Sequence, residues 1–193
     1  MIVLVLPDIS HDEALLQHAR QGYRAAVGQI YEKYMESIYQ FVRLRVGDAH
    51  TAEDITSIVF VTFVKTLQDG KGPRTHLRAW LFQVARNQIY DHYKRDEPLP
   101  IDTLDQWFAA PDEINPELQV LQALNAETIR SAIRELSPDQ QEVLLLRFDQ
   151  QLSLQETADI MGKKINTVKT LQLRALAKLR KVIQQGSEGG ING

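Results

Sequence analysis

The sequence predicts an all-α fold of two small helical domains joined by an acidic linker. Apolar residues recur every three to four positions over residues 10–95 and again over residues 128–185, which is the period of amphipathic helices. The intervening residues 96–127 contain four prolines, eight acidic residues and no lysine or arginine. No segment requires a β-sheet. We therefore expect a domain at 10–95, a linker at 96–127, a second domain at 128–185, and a flexible tail at 186–193.

The first domain is predicted to contain four helices. The first begins at a capping box formed by Ser10 and Glu13, and the second ends at Gly47. Loop-forming residues at 69–73 separate the third helix from a fourth over residues 75–93. The apolar stripe of the second helix consists of Ala26, Ile30, Tyr34, Ile38, Phe41 and Val42.

The third segment, residues 51–67, is ambiguous between a helix and a strand. Its centre reads IVFVTFV, and this richness in β-branched residues is typical of a buried strand. However, Ile55, Val59 and Phe63 keep the helical period over a length that exceeds a usual strand. We therefore predict a helix.

The second domain is predicted to end in a helix-turn-helix. Residues 118–136 form one helix, and Ser137 with Pro138 begins the next. A capping box that starts at Ser153 opens a short helix, which ends at Gly162. After a short turn, Asn166 is expected to cap a long helix. Short helix, tight turn and long helix in this order form a helix-turn-helix.

Composition excludes several classes of protein. The 193 residues include no cysteine, which rules out disulfide scaffolds, thiolate metal sites and cysteine nucleophiles. The five histidines show no metal-ligand spacing, and no glycine-rich phosphate loop stands out. We therefore expect no catalytic residue, no metal and no cofactor. The six apolar residues at the N-terminus are too few for a signal peptide core or a membrane span. We expect a cytoplasmic protein without membrane insertion.

The net charge of −3 conceals two basic blocks. Residues 71–95 carry six basic and one acidic residue, and residues 160–185 carry seven basic and none acidic. The first block interleaves its charges with aromatic residues, a pattern that suits single-stranded nucleic acid because bases stack while the backbone is neutralised. Trp80 and Phe82 within it are alternatively core residues of the helix. The second block coincides with the helix-turn-helix, whose second helix reads base edges in this motif.

These blocks resemble a known family. The segment THLRAWLFQVARNQIYDHYKR resembles the minus-ten-recognising, promoter-melting region of bacterial RNA polymerase sigma factors, most closely the two-domain extracytoplasmic-function (ECF) group. The segment LSPDQQEVLLLRFDQQLSLQETADIMGKKINTVKTLQLRALAKLRK resembles the minus-thirty-five-binding helix-turn-helix of that group. The resemblance covers about residues 11–95 and 128–183 in the family's order.

The resemblance implies a role for three sets of residues. Asn87 matches the polar residue near the pocket for a flipped minus-ten base, and residues 68–76 match the loop that closes over that base. The minus-ten set is Arg74, Arg78, Arg86, Asn87, Lys94 and Arg95. The minus-thirty-five set is Lys163, Lys164, Asn166, Thr167, Lys169, Thr170, Arg174 and Lys178. The set that docks on core polymerase is Glu53, Asp54, Ser57 and Ile58, and the usual family residues at the last two positions are Gln-Glu.

The function that the resemblance implies is that of an alternative sigma factor. Such a protein binds core RNA polymerase and directs transcription initiation through bipartite recognition of promoter DNA, as a duplex and as a melted strand. An anti-sigma factor is a further implied partner. The alternative is a stand-alone helix-turn-helix repressor or activator, which would bind an operator as a symmetric dimer without polymerase.

Overall fold

The computed structural model describes residues 9–92, 132–133 and 135–188, and within these residues it contains helices and no strand. The all-α prediction is therefore confirmed. The first half contains α1 (Ile9–Arg20), α2 (Arg24–Val46), α3 (Ala49–Gln68) and α4 (Leu77–His92). The second half contains α5 (Pro138–Leu144), which continues as a π-helical turn (Leu145–Asp149), then α6 (Leu154–Met161) and α7 (Ile165–Glu188).

The helix ends follow the capping residues of the sequence at most positions. Gly47 ends α2 with φ at 73°, a left-handed conformation that glycine adopts without strain, and its N–H bonds to the Arg43 carbonyl. Ser137 and Ser153 each form a complete capping box at the start of α5 and α6. Gly162 ends α6 in the same left-handed conformation as Gly47, with φ at 62°.

Two predicted caps are wrong. α1 begins at Ile9 and α7 begins at Ile165, so Ser10 and Asn166 each lie inside the first turn of a helix rather than before it. The Asn166 carbonyl accepts a hydrogen bond from the Thr170 hydroxyl one turn later, at 2.8 Å. The amide side chain of Asn166 is exposed, and it therefore belongs to the outer surface of α7.

The ambiguous third segment is a helix. Ile55, Val59 and Phe63 lie on its buried side, at 4%, 0% and 1% exposure, whereas Ile58 and Val61 face solvent at 44% and 51%. The β-branched residues are thus divided between two helix faces, and the ones at the helical period enter the core. Asp48 begins this helix, because its carboxylate accepts a hydrogen bond from the Thr51 N–H at 2.7 Å.

The two halves pack against each other. α4 lies against α6, and the apolar side chains of both halves join in one hydrophobic core that includes Phe41 and Phe82 from the first half and Leu146 and Leu152 from the second. Trp80 packs against this core, with its ring centroid 5.8 Å from that of Phe63.

Several predicted features lie outside the described residues. They are the linker at 96–127, the end of the tail at 189–193, and the two cations Lys94 and Arg95 of the minus-ten set. Most of the helix predicted at 118–136 is also outside them, although residues 132–133 are helical.

Candidate nucleic-acid interface

The outer face of α7 is polar, basic and exposed. Val168, Ala175 and Leu179 hold the opposite face in the core, at 0%, 0% and 3% exposure. Since helical positions three, four and seven apart share a face, the outward side chains form one continuous surface. The exposed members of the predicted minus-thirty-five set are Lys164, Asn166, Thr167, Lys169, Thr170, Arg174 and Lys178. Such a surface can contact base edges at its N-terminal end and phosphates along its length.

Two lysines of this set contact the protein itself. Lys163 is half-buried and forms an ion pair with Asp139 at 3.0 Å, and Lys178 donates to the Glu135 carbonyl at 2.9 Å. Leu173, at 68% exposure, lies between the polar residues of the face and was not among the predicted contacts. An exposed leucine at this place offers apolar contact to a thymine methyl group.

The predicted minus-ten residues on α4 fall into two groups. Asn87 is exposed on this helix, and Arg74 is exposed in the loop before it. Arg78 and Arg86, in contrast, are turned toward the second half of the protein. The Arg78 guanidinium donates to the Gln150 carbonyl, and Arg86 forms an ion pair with Glu142.

The contact of Arg86 is bidentate. Its Nε donates to Glu142 Oε1 at 2.8 Å and its Nη2 to Oε2 at 3.2 Å, while the Tyr90 hydroxyl donates to the same Oε2 at 3.0 Å. Burial lowers the pKa of Arg86, but the charge and hydrogen bonds of Glu142, together with the nearby Tyr90 and Asp139, outweigh this effect and raise the pKa overall. Burial and the same carboxylate raise the pKa of Tyr90 to about 12, so its hydroxyl remains a hydrogen-bond donor at neutral pH.

The loop at 68–76 is held in place by hydrogen bonds from an arginine that sequence reasoning missed. Arg20, the last residue of α1, donates from Nη1 to the carbonyls of Gly72 and Pro73 at 3.0 and 2.9 Å. The loop lies close to α3 at this point: a Cβ at Gly72 would be 2.9 Å from Leu67 Cδ2, a contact that a small movement of the leucine side chain would relieve. No local pattern indicates that Arg20 bonds to a loop about fifty residues away.

The predicted core-docking residues lie together on the outside of α3. Glu53, Asp54, Ser57 and Ile58 are all exposed, and their spacing places them on one side of the helix. The face continues toward the C-terminal end of α3 through Val61 and Val64, at 51% and 36% exposure. Sequence reasoning missed these two valines, because a β-branched run does not show which members remain outside the core.

Within the described residues, no group of three or more histidine, aspartate or glutamate side chains is placed to hold a metal ion. In the same part of the chain, no helix is both long and apolar enough to cross a membrane.

Comparisons with known proteins find matches to both halves of the chain. Residues 30–97 match the family model Sigma-70 region 2, and residues 132–181 match Sigma-70, region 4. The ECF RNA polymerase sigma factor BldN of Streptomyces coelicolor is 36% identical over 170 residues, which cover 88% of this chain and 64% of BldN. RNA polymerase sigma factor YlaC of Bacillus subtilis is 28% identical, with 86% of this chain and 96% of YlaC covered.

A solved structure supports the fold. The structure of CnrH in complex with the cytosolic domain of CnrY matches with a TM-score of 0.63, and covers 90% of this chain and 97% of that one. Its sequence identity is 22%, so this likeness concerns the fold alone.

The chain belongs to the sigma-70 family of RNA polymerase sigma factors. Within that family, its relatives place it in the ECF group. The function predicted from the sequence, an alternative sigma factor that directs transcription initiation, is therefore confirmed at the level of the family. Sigma factors are in general not enzymes.

Proposed function

We propose that this chain binds core RNA polymerase through the outer face of α3 and recognises promoter DNA in two places. The outer face of α7 binds the minus-thirty-five duplex, and α4 with the loop at 68–76 captures the melted minus-ten strand. The observation that carries the proposal is the presence of two separate exposed polar surfaces, on α4 and α7, in a chain whose two parts match sigma-70 regions 2 and 4.

The minus-thirty-five contact follows from the chemistry of α7. Asn166, Thr167 and Thr170 near its N-terminal end present hydrogen-bonding groups that can reach base edges in the major groove. Lys169, Arg174 and Lys178 supply positive charge that phosphates bind, which fixes the register of the helix on the duplex.

The minus-ten contact centres on Asn87. An exposed amide can both donate to and accept from a base edge, and a base flipped from the stack exposes that edge fully. Arg74 lies in the neighbouring loop and is exposed, so it can neutralise the strand's backbone. Arg20 fixes the position of this loop relative to α1 through its two hydrogen bonds to the carbonyls of Gly72 and Pro73.

The core contact uses a surface that is acidic at one end and apolar at the other. Glu53 and Asp54 lie near the N-terminal end of α3, and Ile58 with Val61 continues the face. Such a surface buries apolar area on binding, while the acidic end sets the orientation of the partner. Because core polymerase acts on DNA in the cytoplasm, we place this chain there.

We further propose an anti-sigma factor as a partner. The sigma factor RpoE of Bartonella quintana, which matches with a TM-score of 0.56 and 20% identity, was solved in complex with the anti-sigma factor NepR.

The proposal is tested by capture of bacterial core RNA polymerase on the purified, tagged chain, followed by run-off transcription from a genomic fragment library. We expect stoichiometric capture and new, specific transcripts. Ile58→Asp, which places a charge in the apolar part of the α3 face, should abolish capture, whereas Glu32→Lys on the exposed face of α2 should not. A chain that ignores core but binds duplex DNA as a symmetric dimer would instead be a stand-alone helix-turn-helix regulator.

A further inference from the structure

The outer face of α7 carries an uncharged stripe along its middle. Residues that follow one another at steps of three and four lie on one side of a helix. Such a line runs along the exposed face of α7 through Asn166, Thr170, Leu173 and Ala177. The first two side chains are polar without charge, and the last two are apolar. The stripe therefore changes from polar to apolar along the helix.

Both edges of this stripe are positively charged. Lys169 and Arg180 lie on one edge, since they are about three turns apart, and Arg174 and Lys181 lie about two turns apart on the other. All four side chains are exposed. In the major groove of DNA, phosphates form the two walls and base edges form the floor. A helix whose edges bind the phosphates of both walls presents its middle stripe to the base edges.

Leu173 is the most exposed apolar side chain of this stripe. At 68% exposure, it is the single large apolar residue that faces solvent among the described side chains of the second half. Its polar neighbours are bonded within the protein, because Gln172 Oε1 accepts from Arg147 Nε at 3.3 Å and the Thr170 hydroxyl donates to the Asn166 carbonyl at 2.8 Å. The middle of the stripe therefore presents an apolar surface.

An apolar side chain at the floor of the major groove discriminates between bases. The thymine methyl is the apolar group that base edges offer there, whereas the other bases present amino donors or oxygen and nitrogen acceptors. A leucine against such a polar group would remove its water without replacing the hydrogen bond. We propose that Leu173 packs against the methyl group of a thymine and so determines one position of the minus-thirty-five element. This inference rests on the proposed function, and it adds a specificity-determining residue to that surface.

The rise of the helix sets the place of this thymine relative to the other contacts. Thr170 and Leu173 are three residues apart, which is about 4.5 Å along the helix axis. Base pairs of duplex DNA follow one another at about 3.4 Å. The thymine that Leu173 contacts should therefore lie one or two base pairs from the pair that Thr170 contacts.

The test removes the methyl group from the DNA and the leucine from the protein, separately and together. Holoenzyme is assembled from core polymerase and the chain, and the promoter is taken from the run-off transcripts. Each thymine of the minus-thirty-five element is replaced singly by deoxyuridine, which lacks only the methyl group, and binding is measured by fluorescence anisotropy. At one thymine we expect the replacement to weaken binding about fourfold, the effect of burying one such group.

Leu173→Ala should remove this sensitivity. The variant should bind the thymine duplex several-fold more weakly than the unmodified chain, and deoxyuridine at the same position should cause no further loss, because the partner of the methyl group is gone. Since Leu173 is exposed and alanine has the highest helix propensity, the variant should keep its fold. Far-UV circular dichroism checks this.

Lys169→Ala is the matched control on the same helix. It should weaken binding to the thymine and deoxyuridine duplexes by the same factor, because a phosphate contact does not depend on the methyl group. An effect of deoxyuridine on the shape of the DNA would persist in Leu173→Ala, so the comparison separates shape from direct contact. Thr170→Ala should relax the base preference one or two pairs away from the deoxyuridine-sensitive position.

Three outcomes would overturn the role of Leu173 and leave the proposed function intact. They are a minus-thirty-five element in which no thymine is sensitive to deoxyuridine, a sensitivity that persists in Leu173→Ala, and loss of core capture by Leu173→Ala, which would place the leucine against protein. Failure of the proposed function is visible earlier, because the unmodified chain would then capture no core or direct no specific transcript. That result would overturn both.

Discussion

At the scale of single residues, exposure separates the side chains that can meet a partner from those that are already bonded. Asn87 and Arg86 are neighbours on α4, but the amide faces solvent while the guanidinium is bonded to Glu142. Lys169 on α7 is exposed, whereas Lys163, in the turn before that helix, is paired with Asp139. Residue type alone does not distinguish the members of these pairs, because each member of a pair carries groups that nucleic acid can bind.

Replacement of Asn87 by alanine should impair transcription from a duplex promoter and leave capture of core polymerase intact. In the proposed function, the exposed amide supplies hydrogen bonds to a base edge, and each such pair contributes about 1–3 kcal/mol of discrimination. Asn87→Asp keeps the size of the side chain but loses its donor, so it should be impaired as well. Run-off transcription with equal amounts of captured core measures the effect, and unchanged transcript levels would exclude the base-reading role.

Lys169→Ala should weaken promoter binding by the holoenzyme and make it less sensitive to salt. A lysine that neutralises one phosphate contributes about 0.9 to the slope of log affinity against log salt concentration, so the slope should become shallower by about that amount. Arg24→Ala, at the exposed start of α2, provides a control with the same loss of charge. Equal slopes for the two variants would show that Lys169 does not contact a phosphate.

At the scale of the helices, capping residues decide where each element begins and ends. Ser137, Ser153 and Asp48 each accept a hydrogen bond from a backbone N–H of the first turn, a donor that would otherwise lack a partner. These caps were visible in the sequence for α5 and α6, because a capping box depends on two residues three positions apart. The cap at Asp48 matters for the proposed core-docking face, since it fixes the first turn of α3 directly before Glu53 and Asp54.

Asp48→Ala should lower the melting temperature at neutral pH by roughly 2–4 °C. The hydrogen bond from the Thr51 N–H lowers the pKa of Asp48, so the charged carboxylate stabilises the folded state. This stabilisation is fully present above the ordinary pKa of an aspartate and is lost as the pH falls through the lowered pKa.

Melting curves of the unmodified chain, Asp48→Ala and Asp48→Asn between pH 7 and pH 3 check this expectation. The Asn variant should retain most of the cap at every pH, while the deficit of the Ala variant should narrow at the acidic end. A deficit that grows with acidity would contradict the proposed cap.

At the scale of the whole molecule, the two halves share one hydrophobic core. Phe82 on α4 and Leu152 before α6 are both fully buried members of it, although they belong to different halves. Shared apolar burial together with a buried ion pair couples the stability of the halves.

Thermal unfolding of the free chain should show a single cooperative transition, because loss of either half exposes part of the common core. Differential scanning calorimetry measures this directly, with agreement between the calorimetric and van't Hoff enthalpies as the criterion. Glu142→Gln should broaden or divide the transition, and Glu135→Gln should not. Two well-separated transitions in the unmodified chain would mean that the halves fold independently.

The sequence by itself determined the features that depend on neighbouring residues. The helical period of the third segment, the capping boxes at Ser137 and Ser153, and the left-handed glycine after α6 are all encoded within a few positions of one another. Local backbone geometry and local burial decide these features. The two basic blocks at 71–95 and 160–185 can likewise be read directly from the sequence. The spacing of Glu53, Asp54, Ser57 and Ile58 also places them on one side of α3, whereas their proposed docking role came from the family resemblance.

Only the tertiary structure decided which charged side chains face a partner and which face the protein. Arg86 meets Glu142 across 56 positions of sequence, and Arg78 meets Gln150 across 72. Arg20 supports the loop at 68–76 across 52. No local sequence pattern indicates such pairings, because they depend on how the helices pack. For the same reason, the sequence predicted two surfaces for nucleic acid, while the folded chain shows that two arginines of one of them bond to the other half of the protein.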